Sequence, residues 1–539
     1  MPILSSSLAA GVGAGVQNIQ MSINATDITR NIVIIGTFNP ALAGGITVDT
    51  MVYGPYTSPT PIAVTFGAGW MIDRLSRAVF SGLGAGGATV WVIPQTETGA
   101  LATSNTFVIT GTATAAGTLA CYVSGTLYAV PVASGDTPTV MGAALVALFV
   151  ADASCPVTGI NTAGSVACTS KSKGPWGNSI PVAINILPGD ALPASVSCAV
   201  TALSSGTGVP TIANALNGAL GTLNGSNCNT LPSGQWMTDL VHGYLATATS
   251  MVTTLNDQVT VAAISAYNGL ANASPPIGCY DHLVGKPFRC ILGDNTNSAS
   301  LPAALTSFAT TNMQDRTNGM LSVPGSRSHP CEIAAVATGV INTRSGLTAE
   351  RPYVGMVLPG VEAGPSGMWG AQYANRDLAV KGGISPVVVT GGYVTLQNIV
   401  TFYACNTGVV VTSNGYREFA NICKLQNIIW SLISNFRGTK WQGITIVQDS
   451  SQVSDPVSKQ YVRSVDDVLD DCIALAKAWY ATAWIYNAST VINGLKLAGA
   501  VTVRPAGDGF LAVMPAILSG VMNIIDATFN FDIAIAGAT

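Results

Sequence analysis

The densest group of ionisable side chains is Asp466, Asp467, Asp470 and Asp471. Carboxylates at such spacing can hold a cation or trade a proton, but either task needs further ligands or a partner base close by. No histidine stands near them, and they directly follow Ser464-Val465. That order reads as a capping box opening a helix whose acidic first turn suits the positive end of its dipole. The three histidines, His242, His282 and His329, are far apart. Ser326 and His329 are neighbours, but in a Gly-Ser-Arg-Ser-His-Pro loop without the strand–turn–helix setting of a nucleophile elbow. With 22 basic and 26 acidic residues spread over 539, acid–base candidates are few. The expectation is no enzyme, and no catalytic, cofactor or metal residue.

The glycine cluster Gly82–Gly87 invites a dinucleotide reading, but its order is wrong. A phosphate-cradling loop runs strand, glycines, helix, so that the helix N-terminus faces the phosphate. Here the glycines follow a helical pattern and precede the strand Thr89–Ile93, which makes them a helix stop and turn. The 11 cysteines are scattered, never closer than Cys279 to Cys290, so metal or redox CxxC spacing is absent. They read as small buried hydrophobes kept reduced, with disulfides, within or between subunits, as the alternative.

Charged residues make up 9% of the chain against roughly 25% in an ordinary soluble domain, and 48% are hydrophobic. A free monomer usually carries a charged coat. A surface this poor in charge fits one largely covered by copies of itself. The net charge of −4, without a Lys/Arg run, disfavours nucleic acid. The apolar run Ala143–Ala151 is about half the roughly 20 residues of a membrane span. Met1 to Val16 carries no basic residue, so a secretory leader is not expected.

Asn31–Thr37 (NIVIIGT) reads as a buried strand. Gly67–Ser81 reads as a helix with Trp70, Leu75, Val79 and Phe80 inward and Asp73, Arg74 and Arg77 toward water. From about residue 105 short β runs are cut by glycines, with one helix over Val140–Val150 and strands at Gly164–Thr169 and Ile180–Ile186. Residues 211–223 and 234–270 read as helical. From 283 the chain alternates: strand Phe288–Leu292, helix Leu301–Met313, strand Gly319–Val323, helix Glu332–Thr343, extended Tyr353–Val361, then a strand pair over Val387–Tyr403. Long helices follow at Glu418–Phe436 and Ser464–Trp484, and a strand at Ala500–Val503. At the ends, Ile19, Met21 and Ile23 alternate with polar residues, as do Phe529, Phe531, Ile533 and Ile535. A half-buried strand cannot leave its N–H and C=O groups unpaired, so these terminal strands are expected to pair with another subunit.

The expected architecture is therefore an α/β (α+β) multi-domain fold. Residues 26–98 with 283–520 would form the core sheet domain. Residues 99–282 would be inserted, β-rich over 99–205 and helical over 211–270. Residues 1–25 and 521–539 would be arms.

In this order the elements resemble the tail sheath proteins of contractile-tailed bacteriophages, in their Mu-like branch. The resemblance rests on MPILSSSLAAGVGAGVQNIQMS, NIVIIGTF, FGAGWMIDRLSRAVF with VWVIP, ITGTATAAGTLACYVSGTLYAVPVASGDT through KSKGPWGNSIPVAI, NMQDRTNGMLSVPGS, RPYVGMVLPGV, GGISPVVV and VTLQNIVTFYA. It implies a virion protein, assembled in the host cytoplasm, that stacks as rings of itself around a tail tube protein. Baseplate and tail terminator or neck proteins would be further partners, with no direct nucleic acid and no membrane insertion. Terminal strands donated to neighbours would link the subunits, and contraction without nucleotide hydrolysis would drive the tube through the host envelope. A pyocin-like injection particle, or another virion or surface array, is the alternative.

Overall fold

Every side chain of β1 (Asn31–Thr37) is buried, as expected of a strand covered on both faces. The computed structural model describes residues 26–84, 86–222, 227–244, 255–269, 278–280, 285–405, 415–504 and 509–520. The terminal strand positions Ile19, Met21, Ile23, Phe529, Phe531, Ile533 and Ile535 lie outside them, as do 245–254 of the expected 234–270 helix. The described chain packs as two units, one holding 30–420 and the other 26–29 with 421–519.

The first unit is built on an eight-stranded sheet. Its strands are β1, β2 (Tyr53–Tyr56), β3 (Thr89–Gln95), β11 (Asp239–His242), β12 (Arg289–Asp294), β13 (Asn318–Ser322), β14 (Ile384–Thr390) and β15 (Tyr393–Leu396), ordered β15-β14-β13-β12-β11-β1-β3-β2. The six inner strands run parallel, and β2 and β15 close the edges antiparallel. Helices Met71–Leu83 and Pro330–Leu347 pack on each other and against β1, β11 and β12. Their crossing is set by two glycines: a Cβ on Gly82 would lie 2.2 Å from the Val336 carbonyl oxygen, and one on Gly339 2.4 Å from that of Val79.

Between β3 and β11 the chain builds an antiparallel β module. β4 (Leu101–Thr110), β7 (Val157–Thr162), β8 (Ser165–Lys173) and β10 (Ser197–Val200) form one sheet. β5 (Gly117–Val123), β6 (Thr126–Val132) and β9 (Val182–Ile184) form another. Helix Pro138–Ala151 packs against both, its Phe149 ring edge-on to Tyr128 at 4.9 Å. The protein is thus a mixed α/β chain with more than one domain and a mostly-β insertion.

Three expectations need correction. Residues 234–270 are not one helix: Asp239–His242 is a central strand, and the helix spans Leu255–Asn268. The strand shows only two consecutive apolar residues, Leu240 and Val241, because Asp239 and His242 are themselves buried. It also means that the core sheet draws a strand from inside the stretch expected to be inserted. The helix expected over Gly67–Ser81 begins at Met71, after a separate helix Pro59–Phe66; Gly67 and Gly69 adopt φ of +97° and +82°, which break the helix between them. Finally, Asp73 and Arg74 of that helix do not face water: Asp73 is buried and the Arg74 side chain is only 11% exposed.

The second unit gathers helices Phe419–Phe436 (from Asn421 onward), Val465–Ala481 and Ala488–Leu495. Short strand pairs join them, Thr445–Ile446 with Val462–Arg463 and Val501–Val503 with Phe510–Ala512. Trp479 donates to Ser431 Oγ at 2.7 Å and ties two helices together.

Candidate functional site

In an open parallel sheet, ligands bind beyond the carboxyl ends of the strands. Here the β module packs into that region. Thr37 at the end of β1, and Gly243 and Tyr244 beyond β11, face Trp176, Gly208 and Pro210 of the module across a space of about 10 Å³, no more than one water. Trp176 lies 3.8 Å, centroid to centroid, from the His329 ring.

His329 is a structural group. Its Nδ1 accepts from Cys331 N at 3.2 Å and so caps helix Pro330–Leu347, and its Nε2–H donates to the Trp176 carbonyl at 3.1 Å. Those two bonds fix the neutral tautomer. Burial pushes its pKa down to about 4, against the opposing pull of the Glu332 carboxylate. Ser326 does not pair with it: its hydroxyl donates to the Glu362 carbonyl at 2.6 Å. The Ser326–His329 neighbourhood is a turn and a helix cap, with no nucleophile–base contact.

At the joint between module and core, Ser124 of the module meets an ion pair formed between the two core helices. Arg74 forks onto Glu332, Nε to Oε1 and Nη2 to Oε2, both at 2.8 Å, and Nη2 also donates to Ser124 Oγ at 3.0 Å. Ser124 in turn donates to Glu332 Oε2 at 3.2 Å. Burial alone would depress the Arg74 guanidinium, but the Glu332 carboxylate outweighs it and holds the group above the ordinary arginine value. Asp73 accepts from Gly69 N at 2.7 Å and from Arg77 Nε at 2.9 Å. Helical periodicity alone points these charges toward water, because it cannot register the β module and the second core helix that cover that face.

A second buried network sits at the opposite end of the central strands. Arg289 opens β12 and Asp239 opens β11. They meet bidentately, Nε to Oδ1 at 2.8 Å and Nη2 to Oδ2 at 3.0 Å, with both side chains essentially inaccessible. Asn342 Nδ2 and Thr238 Oγ1 also donate to Asp239 Oδ2, at 2.6 and 2.9 Å, and Arg289 Nη1 donates to Tyr353 OH at 2.8 Å. Every charge is matched, and the arrangement locks strand register.

The acidic cluster resolves as a helix start. Asp467 accepts from Ser464 N at 2.7 Å and Ser464 Oγ at 3.0 Å, while Asp466 and Asp470 face solvent. Asp471 is different: it is buried and accepts from Lys440 Nζ at 2.5 Å, Trp441 Nε1 at 3.0 Å and Asn435 Nδ2 at 3.2 Å. Among the described residues no group of three metal-ligating side chains is found, and no helix is long and apolar enough to cross a membrane.

What remains open is apolar surface on the second unit. Leu432, Phe436, Trp441, Ile446, Phe510 and Met514 line a groove of about 530 Å³. Alternate residues of the same strand face the other way, and Leu511, Val513 and Ile517 are more than half exposed. On the sheet of the first unit, the β15 edge is covered by backbone bonds from Gly355 N to Leu396 O and Leu358 N to Val394 O, at 2.8 and 2.9 Å.

No protein-family model matches the chain. Over 131 residues it is 35% identical to the Mu-like prophage FluMu tail sheath protein of Haemophilus influenzae. The chain resembles a phage tail sheath protein. The matched stretch is 24% of this chain, which spans only 27% of that relative's length. Crystal structures of the sheath tail proteins of Desulfitobacterium hafniense and Listeria innocua align over 91% and 92% of the chain, and over 97% and 93% of their own. Their identities are 10% and 11%, with TM-scores of 0.39 and 0.40.

Proposed function

We propose that this chain is a structural subunit of a contractile phage tail sheath. It polymerises around a tail tube protein and contracts to drive the tube through the host envelope. The observation that carries the reading is the 35% identity to a tail sheath protein. Three physical features support it. The surface is poor in charge. The carboxyl ends of the sheet strands are packed by the β module, whose Ser124 hydrogen-bonds the core Arg74–Glu332 pair. The second unit exposes apolar strand surface of the kind that copies of one chain cover in an assembly. We take 99–205 as the inserted module and 1–25 and 521–539 as arms that add strands to neighbouring subunits. The subunit assembles in the host cytoplasm and ends in the virion, with baseplate and tail terminator proteins at the ends of the polymer.

The test is electron microscopy of the chain co-produced with its tube protein. Helical rings around an inner tube are expected, and a closed shell or flat lattice rules the sheath out. Deleting 526–539 is expected to stop polymerisation; normal full-length sheaths from that deletion would remove the arm from the reading while leaving the sheath itself standing.

A further inference from the structure

Two cysteines 51 positions apart meet inside the first unit. Cys228 Sγ and Cys279 Sγ are 3.3 Å apart, and both side chains are fully buried. The segments that carry them are held by their own bonds. Cys279 N donates to the Tyr267 carbonyl at 3.2 Å, and Lys286 N donates to the Cys279 carbonyl at 2.8 Å. Lys286 Nζ reaches across to the Cys228 carbonyl at 3.0 Å, and Asn229 N donates to Tyr267 OH at 2.8 Å. The sulfurs are therefore brought together by backbone geometry and need to close by only about 1.3 Å to reach bonding distance.

We propose that Cys228 and Cys279 form a redox site that closes to an intrachain disulfide when a small peroxide reaches it. The chemistry balances with that one oxidant. The Cys228 thiolate attacks a peroxide oxygen and breaks the O–O bond; it becomes a sulfenic acid, and the departing hydroxide takes up the thiol proton as water. Cys279 sulfur then attacks the sulfenic sulfur, the S–S bond forms, and the hydroxyl leaves with the Cys279 proton as a second water. Two thiols and one hydrogen peroxide give one disulfide and two waters, two electrons passing from sulfur to oxygen. Cys228 is the attacking partner: the hydrogen bond from Cys279 holds it below the ordinary thiol range, whereas burial pushes Cys279 up. Because both sulfurs are buried, the peroxide enters through local opening of the structure.

The full-length protein is treated with hydrogen peroxide or with dithiothreitol, denatured, alkylated and weighed. The reduced protein is expected to take up eleven alkyl groups, one for each cysteine. The oxidised protein is expected to take up two fewer and to yield a peptide pair joined through Cys228 and Cys279. Its melting temperature is expected to rise by roughly 3–5 °C, because the link closes a long loop, and to fall back on reduction. Cys228→Ala and Cys279→Ala each abolish the linkage; where either variant fails to fold, the wild-type peptide map decides alone. Eleven alkylated cysteines after peroxide, oxygen adducts without a link, or a link through any other pair overturns the proposal.

Discussion

The Asp239–Arg289 pair gives the sharpest test of what holds the core sheet. Asp239→Asn keeps the shape and removes the charge. Two unit charges about 4 Å apart attract by about 4 kcal/mol at an effective dielectric near 20. The mutant loses that term, and the buried Arg289 keeps neutral partners such as Tyr353 OH at 2.8 Å and the Phe419 carbonyl at 3.3 Å. The new amide also faces donors it cannot satisfy: Asn342 Nδ2 and Arg289 Nη2 both point at the oxygen site it would fill. The expected cost is about 3–5 kcal/mol. For a body of a few hundred residues this lowers the melting temperature by about 4–6 °C. Amide exchange at Asp239–His242 and Arg289–Asp294 should accelerate with it. Arg289→Met should cost a similar amount, since it strands the carboxylate. The double variant Asp239→Asn with Arg289→Met should cost less than the two singles combined, by at least about 2 kcal/mol. An unchanged midpoint for Asp239→Asn, or strict additivity in the cycle, would refute the claim that this pair pins the register of β11 and β12.

Gly82→Ala and Gly339→Ala should each lower the unfolding midpoint. The added methyl meets a carbonyl at 2.2 or 2.4 Å, so the helices must part by about 1 Å. Overpacking of about 1–3 kcal/mol outweighs the gain in helix propensity of about 1 kcal/mol; a raised midpoint contradicts this. Acid should destabilise the fold through His242 and His329, both pushed by burial to about 4 from an unfolded value near 6.5. Between those values the unfolded chain binds the protons and the native chain does not. Stability present above pH 6.5 is thus lost progressively down to about pH 4, by roughly 3 kcal/mol for each histidine. Asp294 and Asp315, raised by burial, pull the other way at the low end. Replacing both histidines by glutamine should flatten urea-midpoint titrations across that window; an unchanged slope argues against it. If the arm proposed for 521–539 is a donated strand, Phe531→Asp should block polymerisation while Asn530→Asp should not; pelleting assays in which the two behave alike would count against that proposal.

Much of the core was legible because its signals are local. Seven consecutive buried residues announce β1, a short apolar run announces β3, and the helix Phe419–Phe436 repeats its apolar residues at helical spacing. What stayed hidden was decided by distant partners. Asp239 makes β11 look like a broken helix until Arg289, 50 positions on, neutralises it. Asp73 and Arg74 look solvated until Gly69, Ser124 and Glu332 close over them. Helix Tyr373–Lys381 was missed because it buries little beyond Ala379, which leaves no apolar stripe to read. The Cys228–Cys279 contact was likewise invisible, since the two cysteines lie 51 positions apart in the chain.

The same long-range contacts bear on what the fold is for. A parallel α/β sheet offers its strand ends as a ready binding crevice. Here it is packed by Trp176 against His329, and the same region carries the Arg74–Glu332–Ser124 bridge. Trp176 and Ser124 tie the insertion to the core, and the Arg74–Glu332 pair ties two core helices to each other. The apolar surface that an ordinary monomer hides instead lies open around Phe510–Ala512 in the second unit. On the proposed sheath reading, a joint stiffened within one chain and an apolar surface left for another are what a load-transmitting polymer needs. In such a polymer strain would pass through the Arg74–Glu332 pair and the Gly82–Gly339 helix crossing, while new contacts would form on the apolar surface around Phe510–Ala512.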